Sequence, residues 1–221
     1  MNKILENKFE IVTGGNSGIG EATAHLFSEQ GAKVIIMARR DEEGKRVESE
    51  IIKNGGEATF IKCDVGDENI VNSAISKAAE VYGEIHILFN NAGHGAAGDF
   101  PESTTEDWNT VINDNLNGTF FVSRAVWPYM VNSGGGAIVN MSSLAAQRGF
   151  SPKMKEEFGT TAPSYYVAKA GIDALTRYMA GVGGCLLYTS PSPRDQRGSR
   201  LPSCACKKKW GGGGGGGGGG G

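Results

Sequence analysis

Five short apolar runs, near residues 9–13, 33–38, 58–63, 85–90 and 137–142, alternate with stretches of helical period, and this alternation most restricts the fold. The helical patterns run near 18–30, 42–53, 68–82, 105–132 with an interruption near Asn115, and 163–180. Strand–helix–strand repeats return to one sheet through right-handed crossovers, so the sequence predicts an α/β domain with a doubly wound parallel sheet. Gly31 just after a helix end and Pro163 at a helix start supply the expected punctuation. Ligands of such sheets lie beyond the carboxyl ends of the strands, which directs attention to the residues after Thr13, Ala38, Cys63, Asn90 and Ser142. Glu10 departs from the pattern, because a strand buried on both faces should carry no unpaired carboxylate.

Composition divides the chain at residue 184. Thirty-five glycines dilute the apolar fraction to 39%, and eleven of them form the run from Gly211 to Gly221; the segment after 184 also holds three of the four cysteines. Arg194, Arg197, Arg200, Lys207, Lys208 and Lys209 against Asp195 give that segment +5, so the formal −2 of the chain leaves −7 for residues 1–184. An acidic body without a basic stripe argues against nucleic-acid binding as the main activity. No run of 18 apolar residues predicts a membrane span, and the first eight residues are too polar for a secretory signal. Cys63 is the one cysteine of the body, which excludes an intrachain disulfide there and fits a cytoplasmic location. The Cys204-Ala-Cys206 spacing matches no metal knuckle, and no metal is expected.

Residues 185–221 are expected to be a non-native or disordered tail. Cys185 to Asp195 reads CLLYTSPSPRD, which has neither helical nor strand periodicity. Written back into codons it resembles a transposon-end sequencing adapter; SRLPSCAC, the three lysines and the glycine run then resemble a flow-cell adapter, an A-run and a G-run. Adapter read-through is the reading; the alternative is a glycine-rich flexible tail.

Within the body, Thr13 to Gly20 reads TGGNSGIG, a strand end followed by Gly14, Gly18 and Gly20 around Asn16, Ser17 and Ile19, and then a helix. A turn this tight needs residues that tolerate positive φ, and a pyrophosphate approaches backbone only where no Cβ intervenes. The helix N-terminus adds free N–H groups and partial positive charge. At the end of the second run stand Ala38, Arg39 and Arg40. An acidic residue there would accept from a ribose 2′-OH, whereas arginine meets a 2′-phosphate, so Arg39 favours NADP(H) over NAD(H); the alternative is that both arginines are simply solvated.

Tyr165 and Lys169 are four apart on a helical pattern, which puts them on one face with Cβ atoms about 6 Å apart. A phenol titrates near about 10, and a neighbouring ammonium favours the phenolate, so the pair suits proton transfer to or from a reacting oxygen. Tyr166 has Ala170 at the corresponding distance and is the poorer candidate.

In order and placement these motifs resemble the short-chain dehydrogenase/reductase family, whose glycine spacing is GxxxGxG, and the likeness runs from Thr13 to Lys169. The resemblance implies a nicotinamide-dependent oxidoreductase of Rossmann fold, interconverting a small-molecule ketone and a secondary alcohol. It assigns Tyr165 as acid/base, Lys169 to the nicotinamide ribose, and Ser143, the second serine of Asn140-Met141-Ser142-Ser143, to the substrate oxygen. Asn115 matches the asparagine that anchors a proton relay, the alternative being a structural kink. Asp64, followed by Val65, matches the adenine contact. Asn91, Ala92 and Gly93, after Asn90, match the NNAG motif beside the cofactor. The helices carrying Phe120, Trp127, Leu175 and Tyr178 resemble the family's dimer surface, so a homodimer or homotetramer is expected; the alternative is that these nonpolar side chains are core. Residues 150–162 look like an insertion. The family's sixth and seventh strands and substrate-closing loop have no counterpart, so the chain is expected to be truncated after the Tyr165/Lys169 helix, poorly soluble and inactive by itself. A cofactor-binding sensor without turnover is the second functional reading.

Overall fold

The computed structural model describes residues 3–95, 98–149, 151, 153, 156 and 162–184. Contacts group residues 1–187 into one unit and 188–221 into another; the second, and with it the expected tail, lies outside the described residues. Most of the expected insertion at 150–162 lies outside them as well.

Strand β1 (Phe9–Thr13) leads through helix α1 (Gly18–Glu29) to β2 (Lys33–Ala38), and α2 (Asp41–Lys53) leads on to β3 (Glu57–Lys62). The chain then crosses to the opposite face of the sheet with α3 (Glu68–Tyr82) and returns as β4 (Ile87–Asn90). Helix α4 (Thr105–Ile112), a π-helical turn (Asn113–Asn117) and α5 (Gly118–Asn132) precede β5 (Ala137–Asn140), and α6 (Pro163–Gly183) follows. The five strands are all parallel in the order β3-β2-β1-β4-β5. The reversal of winding therefore falls between β1 and β4, where an open α/β sheet places its ligand crevice.

Alternation along the strands separates two cores. Ile11, Ile35, Met37 and Leu88 face α3 and α5 and pack with Val71, Ile75, Val122, Val126 and Met130. Val12, Val34, Ile36 and Phe89 face the other way, onto Ala24 of α1 and Val47 and Ile51 of α2. The same alternation puts Glu10 on the side of Val12, where it is 0% exposed and both carboxyl oxygens lack a hydrogen-bond partner.

Local chemistry fixes the ends. Asp41, Glu42 and Glu43 sit in the first turn of α2 and Lys53 in its last, each complementing the helix dipole. The Asp67 side chain accepts from the amides of Asn69 and Ile70 and starts α3. The interruption expected near Asn115 is the π turn. Asn115 Nδ2 donates to the Val111 carbonyl at 2.9 Å, so the side chain competes with the backbone ladder where the helix widens. Strand β5 stops at Asn140, two residues short of expectation. The Met141 amide still bonds the Asn90 carbonyl, and Ser143 then starts a 3-10 turn (Leu144–Ala146). Strand β4 likewise begins at Ile87 and not at 85, although the His86 amide already bonds the Phe9 carbonyl.

Candidate active site

The carboxyl ends of β1, β2, β3 and β4 enclose a cleft of about 370 Å³. Of the residues expected to bind a cofactor, Gly14, Asn16, Ser17, Ile19, Arg39, Val65, Asn91, Ala92 and Gly93 line it; Met37, Ala38, Arg40, Cys63 and Asp114 complete the wall. Gly18 and Gly20 shape the turn without lining the cleft. Gly18 has φ +57°, which L side chains rarely adopt, and a Cβ on Gly20 would collide with the Gly14 carbonyl oxygen. Ser17 occupies the N-cap of α1 but makes no side-chain cap bond, so the first-turn amides stay free to meet an anion.

The NNAG segment is fastened to this turn. Thr13 Oγ1 accepts from the amides of Asn91 and Ala92, each at 3.0 Å, and Asn91 Nδ2 donates back to the Thr13 carbonyl at 3.1 Å. Asn90 is 3% exposed and joins several elements. Its Nδ2 donates to Ser123 Oγ of α5 and Asn140 Oδ1 of β5, both at 2.9 Å, and Asn140 Nδ2 donates to Thr176 Oγ1 of α6. A polar thread thus ties α5, β4, β5 and α6 directly beneath the site. Asp64 does not line the cleft; its Oδ1 accepts from the Gly66 amide at 3.0 Å and closes its own turn.

The arginines are engaged differently from expectation. The sequence places no carboxylate at the tip of β2, yet the fold brings one there: Asp114 of the π turn, whose Oδ2 accepts from Arg39 Nη1 at 3.0 Å and lies 2.9 Å from His94 Nε2. Arg40 Nη1 donates to Glu43 at 2.7 Å and Nη2 to Ser17 Oγ at 3.2 Å. The Asn16 amide is satisfied when its oxygen faces Arg40, accepting from Nη2 at 3.1 Å. Neither the place of Asp114 at this wall nor the partners of Arg40 follow from the sequence pattern. The only signal for Asp114 was a carboxylate inside the mostly apolar, amide-rich run of the 105–132 helix pattern.

At the other end of the site, Pro163 starts α6 at N1 and the helix presents Tyr165 and Lys169 one turn apart. Lys169 is 4% exposed; its Nζ donates to the Met141 carbonyl at 2.8 Å and stands 5.5 Å from the centroid of the Tyr165 ring. Burial pushes the Lys169 ammonium below the usual lysine range. Ser143 Oγ accepts from the Ala145 amide at 3.2 Å, which leaves its O–H free to donate. Asn115 is fully buried, its Nδ2 shared between the carbonyls of His94 (2.8 Å) and Val111, and its Oδ1 without a partner. The helix turn, the glycine cradle and the flanking guanidinium groups fit the pyrophosphate and adenosine portion of a dinucleotide.

Residues 8–182 match the family model described as short chain dehydrogenase. An oxidoreductase of Thermotoga maritima, described as uncharacterized, is 38% identical over 80% of this chain and 66% of its own length. A 3beta-hydroxysteroid dehydrogenase of Mediterraneibacter gnavus is 37% identical over 80% of this chain and 60% of its own length. The chain therefore spans under two thirds of the length of these relatives. A crystal structure from Sinorhizobium meliloti 1021, described as a candidate short-chain alcohol dehydrogenase, superposes with TM-score 0.75 and 32% identity, covering 83% of this chain and 69% of that one.

Proposed function

This chain belongs to the short-chain dehydrogenase family, and we propose that it carries the cofactor site and reacting residues of an NADP(H)-dependent oxidoreductase that interconverts a ketone and a secondary alcohol. One observation carries the reading: one helical turn from Tyr165, buried Lys169 is anchored to the carbonyl of Met141, whose amide bonds Asn90 next to the Asn91–Gly93 segment of the glycine-lined cleft, although Tyr165 and Lys169 do not themselves line that cleft.

Each residue then has a task. The free amides at the start of α1 and the open glycine turn hold a pyrophosphate. Arg39 and Arg40 stand where β2 ends and favour a 2′-phosphate over a 2′-hydroxyl. The hydride would be supplied or accepted by a nicotinamide held in this cleft. Tyr165 donates its phenolic proton to the carbonyl oxygen in reduction and takes one from the alcohol in oxidation. Lys169 places positive charge beside that phenol. Ser143 donates its free O–H to the same substrate oxygen, a bond that strengthens as charge develops there. Asn115 holds the widened helix and the His94 backbone at the site. Phe120, Trp127, Leu175 and Tyr178 line an apolar groove of about 360 Å³ between α5 and α6, and we assign this face to self-association as a homodimer or homotetramer.

The test follows NADPH consumption by the natural full-length protein against a panel of ketones, with Tyr165→Phe as control. The substitution should lower kcat by about 10²–10⁴-fold while cofactor binding persists. Cofactor binding without consumption on every substrate would favour a sensor; a Tyr165→Phe variant as fast as the wild type would remove Tyr165 from the chemistry.

A further inference from the structure

Asp114 reaches the cofactor cleft from the π turn, 75 residues along the chain from the arginine it holds. It is 8% exposed and receives Arg39 from the end of β2 and His94 from the loop after β4, both on Oδ2. Its Oδ1 faces Gly66, beside the turn that Asp64 closes. Two separate elements therefore hold this carboxylate, and both it and Arg39 line the same wall.

A guanidinium fork grips carboxylate and phosphate with the same N–H groups. A phosphate arriving at the adenosine end must compete for Arg39 with an anion already in place, and it also meets the negative charge of Asp114 itself. A ribose hydroxyl meets neither obstacle, because it can donate to a carboxylate. We infer that Asp114 is a specificity-determining residue: by holding Arg39 in an ion pair it weakens recognition of a 2′-phosphate relative to a 2′-hydroxyl, and so narrows the preference that the two arginines create. The inference rests on the reading of the cleft as a nicotinamide-dinucleotide site.

Two fragments isolate the adenosine end from the reacting end: adenosine 2′,5′-bisphosphate and adenosine 5′-monophosphate, titrated calorimetrically into the whole chain and its variants. Asp114→Asn should tighten the bisphosphate by about tenfold while changing the monophosphate by no more than about twofold. In an Arg39→Ala background the same substitution should lose most of that gain, because the two residues act as a unit. Asp114→Ala, checked for an intact fold by circular dichroism, should repeat the gain and so excludes new bonds made by the amide. An unchanged or weakened bisphosphate affinity in Asp114→Asn overturns the inference and makes Asp114 a support for Arg39. A full gain that persists without Arg39 overturns it as well. If the unsubstituted chain binds neither fragment at millimolar concentration, the dinucleotide reading fails first and this inference falls with it; binding of both with an unmoved ratio removes the inference alone.

Discussion

Both carboxyl oxygens of Glu10 lie without a hydrogen-bond partner in the middle strand of the sheet, and burial raises its pKa from 4.5 to about 7. The folded state therefore keeps the proton over a range in which the unfolded chain has released it. Stability is full below the unfolded pKa, falls as pH rises from 4.5 through about 7, and stays reduced above it. The difference amounts to about 3 kcal/mol at alkaline pH. Glu10→Val places an apolar side chain of strand-favouring shape beside Val12 and removes the group that titrates. Urea melts should find the variant more stable than the wild type at pH 8, with the gap closing toward pH 5. A gap independent of pH would mean that Glu10 is solvated or paired in solution. The residue was conspicuous in the sequence as a charge inside an apolar run. Its lack of a partner was not, because that depends on what α1 and α2 present to the same face.

Elements that carry the site are joined by a few short contacts, and the glycine turn between β1 and α1 is the tightest. Gly20 approaches the Gly14 carbonyl so closely that any Cβ must displace the turn, and the Asn91 amide that ties the NNAG segment to the same carbonyls would move with it. Gly20→Ala should abolish measurable NADPH binding and also lower the melting temperature, whereas a helix-interior alanine elsewhere in α1 would be neutral or mildly stabilising. Retained affinity at wild-type level would show that the turn yields. The turn itself was legible from glycine spacing, since positive φ and close approach leave few alternatives. The Asn90–Asn140–Thr176 thread was not. It depends on the parallel register that sets Asn90 opposite Asn140, and register is a property of the assembled sheet.

At the scale of the molecule, the described residues leave apolar surface open at one edge of the sheet and between two helices. Strand β5 forms one edge, where Val139 is 51% exposed, and Tyr178 on α6 is 72% exposed beside the apolar α5/α6 groove. An apolar groove open to solvent on two long helices suits a second copy of the same surface. Sedimentation should find a dimer or tetramer that Tyr178→Glu shifts toward monomer, with the circular dichroism spectrum unchanged; a wild type that stays monomeric at all concentrations would retire the assignment. No helix among the described residues is long and apolar enough to cross a membrane. The amino-acid sequence by itself determined the α/β class, the parallel winding, the glycine cradle and the Tyr165/Lys169 spacing, because each follows from periodicity or from backbone freedom over a few neighbouring residues. Only the tertiary structure decided that Lys169 is buried against the Met141 carbonyl, that Glu10 is left unpaired, and that Arg39 is held by Asp114. Those facts join residues far apart in the chain, and the charge, burial and hydrogen bonding that govern their chemistry exist only once the strand ends have converged.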